Sequence, residues 1–226
     1  MIYITGDLHG GYDIEKLFRI DFSSDDILIV CGDFGYVWEQ DYHKRMSEQR
    51  ELNLLMMALN CTLLFVDGNH ECFPRLNSLP KLKRFGAEVG VVRDKCYHLL
   101  RGNVYTIEGK KFLAIGGAES HDTQFRHEGI NWWKDESITN EDVKKAMMAG
   151  EVDYVISHCL PATMKEKLCL GGSLPINYIQ ASKSENLLEY VYNNVQFKRW
   201  FCGHYHLDER WGKFDILFRH VIKLED

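Results

Sequence analysis

Apolar residues in the first third of the chain fall into short runs separated by polar stretches of varying length. Strand-like runs are predicted over residues 2–6, 27–32 and 62–68, with helices between them over 12–19 and 41–60. In the longer helix Met46, Leu52, Leu55, Met56 and Leu59 recur at helical spacing and are expected to form a buried stripe. Alternating strands and helices of this kind point to an α/β arrangement with parallel strand pairing.

The pattern changes in the middle. Strand candidates over residues 89–92, 97–100, 104–108 and 112–116 are broken by Arg-Gly-Asn and Glu-Gly-Lys turns, which reads as an antiparallel meander. Residues 119–136 are polar and aromatic-rich with weak periodicity. They read as a long loop, and long loops in compact domains are often functional. A helix over 140–149, a strand over 152–157, a helix over 185–194 and a strand over 199–202 follow. A hairpin turning at Gly212-Lys213 ends the pattern. No internal repeat and no Pro/Gly/Ser-rich linker divides the chain, so residues 1–226 are expected to form a single domain.

Composition narrows the class. With 45% hydrophobic residues in 226, the chain can bury a substantial core. Its longest apolar runs are far too short to span a bilayer, so no membrane partner is expected. Met1 leads directly into Ile2-Tyr3-Ile4 without a basic region or a long apolar one, so a cytoplasmic location is expected. The net charge of −6 and the lack of a basic run speak against general nucleic-acid binding. The seven cysteines are odd in number, irregularly spaced and without a CxxC, which suits reduced thiols. Cys31, Cys61 and Cys202 sit in or beside apolar runs and read as small core residues.

Five short motifs stand out: GDLHG, CGDF, DGNHE, SHC and CGHYH. They carry Asp7 and His9, Asp33, Asn69 and His70, His158, and His204 and His206. These donors lie too far apart for a local zinc finger. Asp7, Asp33, Asn69 and His158 each follow an apolar strand run by one to three residues, and His204 follows the last run. In sheets with helical crossovers, ligand sites form outside the carboxyl ends of strands, so five such ends can gather the donors at one edge. The two-residue spacing of Asp7 with His9, and of His204 with His206, puts each pair on one side of an extended segment. Two divalent ions held by Asp7 and Asp33 with a bridging hydroxide leave about one positive charge, which suits an anionic phosphate ester.

The motif series resembles the calcineurin-like metallophosphoesterase family, in which D-x-H, G-D, G-N-H-[DE], a lone His and G-H-x-H occur in this order. The matching positions are Asp7-x-His9, Gly32-Asp33, Gly68-Asn69-His70-Glu71, His158 and Gly203-His204-x-His206, across residues 5–206. The resemblance implies an α/β fold of two mixed β-sheets packed as a sandwich and flanked by helices. It implies a pair of divalent metal ions, with manganese common and iron or zinc as alternatives. Asp7, His9, Asp33 and His206 would hold one ion, and Asp33, Asn69, His158 and His204 the other. A hydroxide between the ions would attack phosphorus, and His70 would protonate the leaving oxygen as general acid.

One departure is informative. Protein phosphatases of the superfamily carry GDxxDRG at the second motif, whereas this chain reads Gly32-Asp33-Phe34-Gly35-Tyr36-Val37-Trp38. The Asp that steadies the catalytic His and the Arg that holds phosphate are both missing, which argues against a protein phosphatase. Asp67, Glu39 and Asp122 are candidates to orient His70. Arg126, His127 and Arg75 are candidate phosphate contacts. His121 shares the long loop with His127 and is a further candidate to meet substrate. Trp132-Trp133 reads as a pair closing that loop over the core, with stacking on a nucleobase as the rival reading. His43, His98 and His220 read as surface or structural histidines, and Glu71 as a residue supporting the ligand loops. The expected function is metal-dependent hydrolysis of a phosphorylated small molecule or nucleotide. Phosphomonoesterase and phosphodiesterase readings both stay open, beside a non-catalytic scaffold of the same fold.

Overall fold

The computed structural model describes residues 1–225. The first half of the chain supplies strands β1 (Ile2–Thr5), β2 (Ile27–Cys31), β3 (Thr62–Val66), β4 (Lys81–Arg84), β5 (Ala87–Arg93) and β6 (Cys96–Leu99). Strands β7 (Asn103–Ile107), β8 (Lys110–Ile115), β9 (Tyr154–Ser157), β10 (Arg199–Cys202), β11 (Glu209–Trp211), β12 (Phe214–Ile216) and β13 (Val221–Lys223) follow. The helices are α1 (Tyr42–Leu59), α2 (Phe73–Asn77), α3 (Asn140–Met147), α4 (Ala162–Leu170) and α5 (Lys183–Asn194).

The strands make two mixed sheets. One has seven strands in the order β13-β1-β2-β3-β6-β5-β4, and the other has six in the order β11-β12-β10-β9-β8-β7. The period-two alternation of each strand decides what it packs against. Ile2, Ile4, Ile29, Leu64 and Val66 of the first sheet meet Phe112, Ala114, Ile156 and Phe201 of the second in a common buried layer. The intervening Tyr3, Leu28, Val30, Leu63 and Phe65 turn outward onto Leu52, Leu55, Met56 and Leu59 of α1. On the far side, Leu113, Val155 and Trp200 pack on Val143 of α3, Leu168 of α4 and Leu188 of α5. The result is the expected sandwich of two mixed sheets between helical layers, with no helix long and apolar enough to cross a membrane among the described residues.

Parallel pairing positions the site. β1, β2 and β3 run parallel, as do β9 and β10 in the other sheet. Their carboxyl ends carry Gly6-Asp7, Gly32-Asp33, Gly68-Asn69, His158 and Gly203-His204.

Three local expectations change. The helix predicted over 12–19 is a short 3-10 turn, Glu15–Arg19. Met46 is 47% exposed and leaves the buried stripe of α1, because it lies in the first turns, ahead of the segment that packs on the sheet. The predicted meander is two hairpins in different sheets: β5 pairs with β6, β7 with β8, and the chain changes sheet at Gly102, whose φ of +74° the turn requires. α2, α4, β4 and β13 were not predicted from the sequence. In α4 a buried lysine, Lys165, sits among buried Met164, Leu168 and Cys169, so no clean apolar stripe forms. In β4 all four residues are exposed, and the strand is held by backbone pairing with β5.

Candidate metal centre

The loops after the parallel strands bring their polar side chains to a buried floor. Asp7 is wholly buried and Asp33 is nearly so. His9 Nε2 lies 3.2 Å from Asp33 Oδ2, and His206 Nε2 lies 3.2 Å from Asp7 Oδ2. His158 Nε2 lies 3.3 Å from Asp33 Oδ1 and 3.2 Å from Asn69 Oδ1. The His204 ring sits 4.9 Å from that of His158, and its backbone N–H donates to Asp7 Oδ1 at 3.0 Å. All seven proposed ligands therefore meet around the two aspartates.

Close backbone approach makes this convergence feasible. A methyl group on Gly32 would strike the His158 ring, and one on Gly203 would strike the Asp7 carboxylate. His9, Asp33, His204 and His206 all hold left-handed backbone angles, with φ of 46°, 46°, 69° and 51°. Non-glycine residues avoid that region, and such strain persists where surrounding structure over-determines it, often at functional sites.

The donors fall into three overlapping groups whose ligand atoms lie within 4.8 Å of one another: Asp7, His9 and His206; His9, Asp33 and His70; Asp7, Asp33 and His158. Electrostatics show what this set lacks. Burial alone would depress the His158 imidazolium, yet the charge and hydrogen bond of Asp33 raise it to about 10. Burial also works against a charged His9, and Asp33 and Asp7 overcome it to raise that group to about 9. The Asp33 carboxyl lies well below its ordinary range: burial would raise it, but His158 and His9 outweigh burial. Two buried carboxylates thus draw protons onto neighbouring imidazoles. His204 goes the other way, since burial and the adjacent His158 hold it neutral. Hard oxygen donors that demand positive charge, beside imidazoles in reach of them, fit divalent cations.

A second tier of residues fixes these ligands. Asp13 Oδ2 lies 2.8 Å from His9 Nδ1, and the Cys31 carbonyl 2.7 Å from His158 Nδ1. Asn69 Nδ2 donates to Ser120 Oγ at 3.2 Å, and Ser120 Oγ donates to Glu136 Oε2 at 2.7 Å, which turns the Asn69 oxygen toward His158. Asp33 Oδ1 accepts from the backbone N–H groups of Asn69 and His70, both at 2.9 Å. Glu71 is wholly buried and accepts from Phe34 N and Gly68 N, both at 2.7 Å, clamping the Asp33 loop to the Asn69 loop. Burial, with the charges of Asp33 and Asp67, raises its carboxyl to about 8.

His70 stands at the edge of the cluster, its ring stacked on Trp38 with centroids 4.9 Å apart. Burial, together with the cationic Arg126, His9 and His158, holds it below its ordinary value against the pull of Asp33. Arg126 Nη2 lies 3.2 Å from His70 Nε2, Asp122 holds Arg126 Nε at 2.7 Å, and Arg126 Nη1 is buried without a hydrogen-bond partner among the described residues. Beside these groups opens a cavity of about 730 Å³, lined among others by His9, Trp38, Glu39, His70 and His206.

Other sequence candidates are occupied elsewhere. Asp67 binds His98 at 3.0 Å and Arg101 Nε at 2.8 Å, so it does not orient His70, and His98 is the structural histidine expected. Arg75 is anchored by Glu48 at 2.8 Å and the Glu39 carbonyl at 2.6 Å, away from phosphate duty. The Glu39 carboxylate faces Lys44 at 3.9 Å. His127 is exposed, and its contacts are backbone bonds with Ile130 and Asn131. Trp133 is buried in the core, and Trp132 Nε1 donates to Glu136 Oε1 at 2.8 Å, consistent with a loop-closing pair. Trp38, Asp13, Ser120 and Glu136 gave no motif-level signal, because each meets the cluster only through the fold.

No curated protein matches this chain. The family model described as calcineurin-like phosphoesterase matches residues 1–208 of the 226, and the chain belongs to that family.

Proposed function

We propose that the chain hydrolyses phosphate esters with two divalent metal ions, and that the residues gathered around Asp7 and Asp33 hold them. Asp7, His9, Asp33 and His206 would hold one ion, and Asp33, Asn69, His158 and His204 the other, with manganese the first choice and iron or zinc alternatives. When bound, such ions supply Lewis acidity and lower the pKa of water to a range where it attacks phosphorus. The observation that supports this reading most directly is the convergence of seven donors from five strand ends, two of them the buried carboxylates of Asp7 and Asp33.

The chain's own residues account for the remaining chemistry. A phosphoryl group at the cluster lies beside Arg126, whose unpartnered buried Nη1 suits an anionic oxygen. As the guanidinium turns to that oxygen, it releases His70 Nε2. The arriving anion also favours the protonated form of His70, which then gives its proton to the leaving oxygen. Trp38 keeps the imidazole in place by stacking, so its proton meets the leaving group without a search. Seven buried free cysteines fit a reducing compartment, in keeping with a cytoplasmic location.

Two variants test the assignment. Asp33→Asn is expected to lose bound manganese and activity together. His70→Ala is expected to keep its metal and lose roughly 10²–10⁴-fold in rate. Metal content beside hydrolysis of 4-nitrophenyl phosphate and bis-4-nitrophenyl phosphate reads both effects. Full activity in either variant would refute the assignment.

A further inference from the structure

Two recesses lie near the donor cluster. On the side of His9, His70 and His206 lies the 730 Å³ cavity. On the side of His204 lies a groove of about 430 Å³, lined by His121, Asn177, Tyr178, Gln180, Ala181 and Ser182. His121 joins this groove to the cluster: its ring centroid is 5.5 Å from that of His204 and 5.3 Å from that of Tyr178. Tyr178 remains 40% exposed, so part of its ring is free to pack on something that enters.

The two recesses differ in charge. The cavity beside His70 carries Asp13, Glu39, Glu48 and Glu51 against a single lysine, Lys44, among the described residues. Among the described residues, the groove beside His204 carries no lysine, arginine or carboxylate and offers two amides, two hydroxyls and two aromatic rings. Neither offers a row of cations to a polyanion. A strand of nucleic acid threaded through the site would set further phosphates against the carboxylates of the cavity, where like charges repel. A terminal monoester would leave the groove without a use.

We propose that the groove lined by His121 and Tyr178 is a subsite for the second substituent of a small phosphodiester whose arms are uncharged and polar or aromatic, as in a nucleoside or a sugar. This rests on the hydrolase reading. The phosphoryl group sits over the cluster, the leaving arm lies beside His70 in the acidic cavity, and the retained arm crosses His121 to pack on Tyr178. Water oxygen forms the new bond to phosphorus, and the bond from phosphorus to the leaving arm breaks. His70 gives its proton to the oxygen of the leaving arm and is reprotonated by the proton the water loses. The products are a free alcohol and the phosphomonoester of the retained arm.

The test compares manganese-loaded wild type, Tyr178→Ala and Asn177→Ala on bis-4-nitrophenyl phosphate, 4-nitrophenyl phosphate and a single-stranded oligonucleotide. In parallel, metal content is measured, and diphenyl phosphate and phenyl phosphate are titrated calorimetrically into His70→Ala with and without Tyr178→Ala. The expected result is a higher kcat/KM for the diester than for the monoester, with little cleavage of the oligonucleotide. Tyr178→Ala should lower the diester kcat/KM and the diphenyl phosphate affinity about tenfold, the scale of one lost aromatic stack. Its metal content and monoester rate should stay within about twofold of wild type, since ordinary surface substitutions have small effects. Preference for the monoester, or equal losses on both esters in Tyr178→Ala, would overturn the subsite and leave the hydrolase reading standing. Efficient oligonucleotide cleavage would overturn the restriction to small substrates. Hydrolysis of none of the three by metal-loaded enzyme would overturn the hydrolase reading and the subsite with it.

Discussion

Glu71→Gln isolates a carboxylate that touches no proposed metal position yet should govern metal binding. Both Glu71 oxygens accept backbone N–H groups, from Phe34 and Gly68, each at 2.7 Å. In the metal-free protein, burial and the carboxylates of Asp33 and Asp67 raise this group from its ordinary 4.5 to about 8. It is therefore largely protonated at pH 6, with one good acceptor oxygen. A glutamine offers the same single oxygen, so the metal-free variant should lie within about 1 kcal/mol of wild type at that pH. Two divalent ions beside Asp33 would favour the ionised carboxylate, which serves both N–H groups. Glutamine then turns an NH2 against one of them and leaves a buried donor unsatisfied, at about 1–3 kcal/mol. By linkage that difference must appear as weaker metal binding, roughly 5–150-fold. Urea unfolding of metal-free and manganese-loaded protein measures it, together with calorimetric titration of manganese. The sign of the pH effect is a further check. Because the folded pKa lies above the unfolded one, the metal-free wild type should lose stability as pH rises from about 4.5 to about 8, and the variant should lack that slope. Wild-type metal affinity in Glu71→Gln, or equal destabilisation with and without manganese, would rule out this role for Glu71.

Two further outcomes follow from the same geometry. His9 and His158 hold protons up to about 9 and about 10, and ligation requires both to be neutral. Manganese binding at pH 7 should therefore release protons and strengthen as pH rises toward 9, as calorimetry in buffers of different ionisation enthalpy will read; uptake of protons would contradict it. Asp67→Asn breaks the buried pair with Arg101, which holds the Asp67 carboxyl well below its ordinary range against the effect of burial. Leaving that arginine with only the more distant Asp142 carboxylate, at 3.6 Å, should destabilise the protein by up to about 3–5 kcal/mol in urea unfolding, whereas a loss under about 1 kcal/mol would count against the pairing.

The motifs were legible because their chemistry is local: a glycine and a hard donor just past an apolar strand run announce a strand-end site. The core strands were legible for a related reason, since Ile27–Cys31 and residues 63–66 are buried on both faces and read as unbroken apolar runs. β4 was not, because Lys81–Arg84 has four exposed side chains and exists only through pairing with β5. α4 escaped notice because Lys165 is buried, satisfied by Glu185 at 2.6 Å and the Gln180 carbonyl at 2.7 Å, and a lysine at a core position hides the helical period. The supports of the site were the least visible. Ser120 and Glu136 lie 51 and more residues beyond Asn69 and act through a chain of side-chain hydrogen bonds that no spacing rule encodes. Trp38 reads as an ordinary aromatic until the fold lays it on His70.

Anomalous diffraction from crystals grown with manganese, collected at the manganese absorption edge, would locate the two ions themselves. Two adjacent peaks are expected, one bounded by Asp7, His9 and His206, the other by Asn69, His158 and His204, with Asp33 between them. A single peak, or a pair that Asp33 does not bridge, would contradict the account.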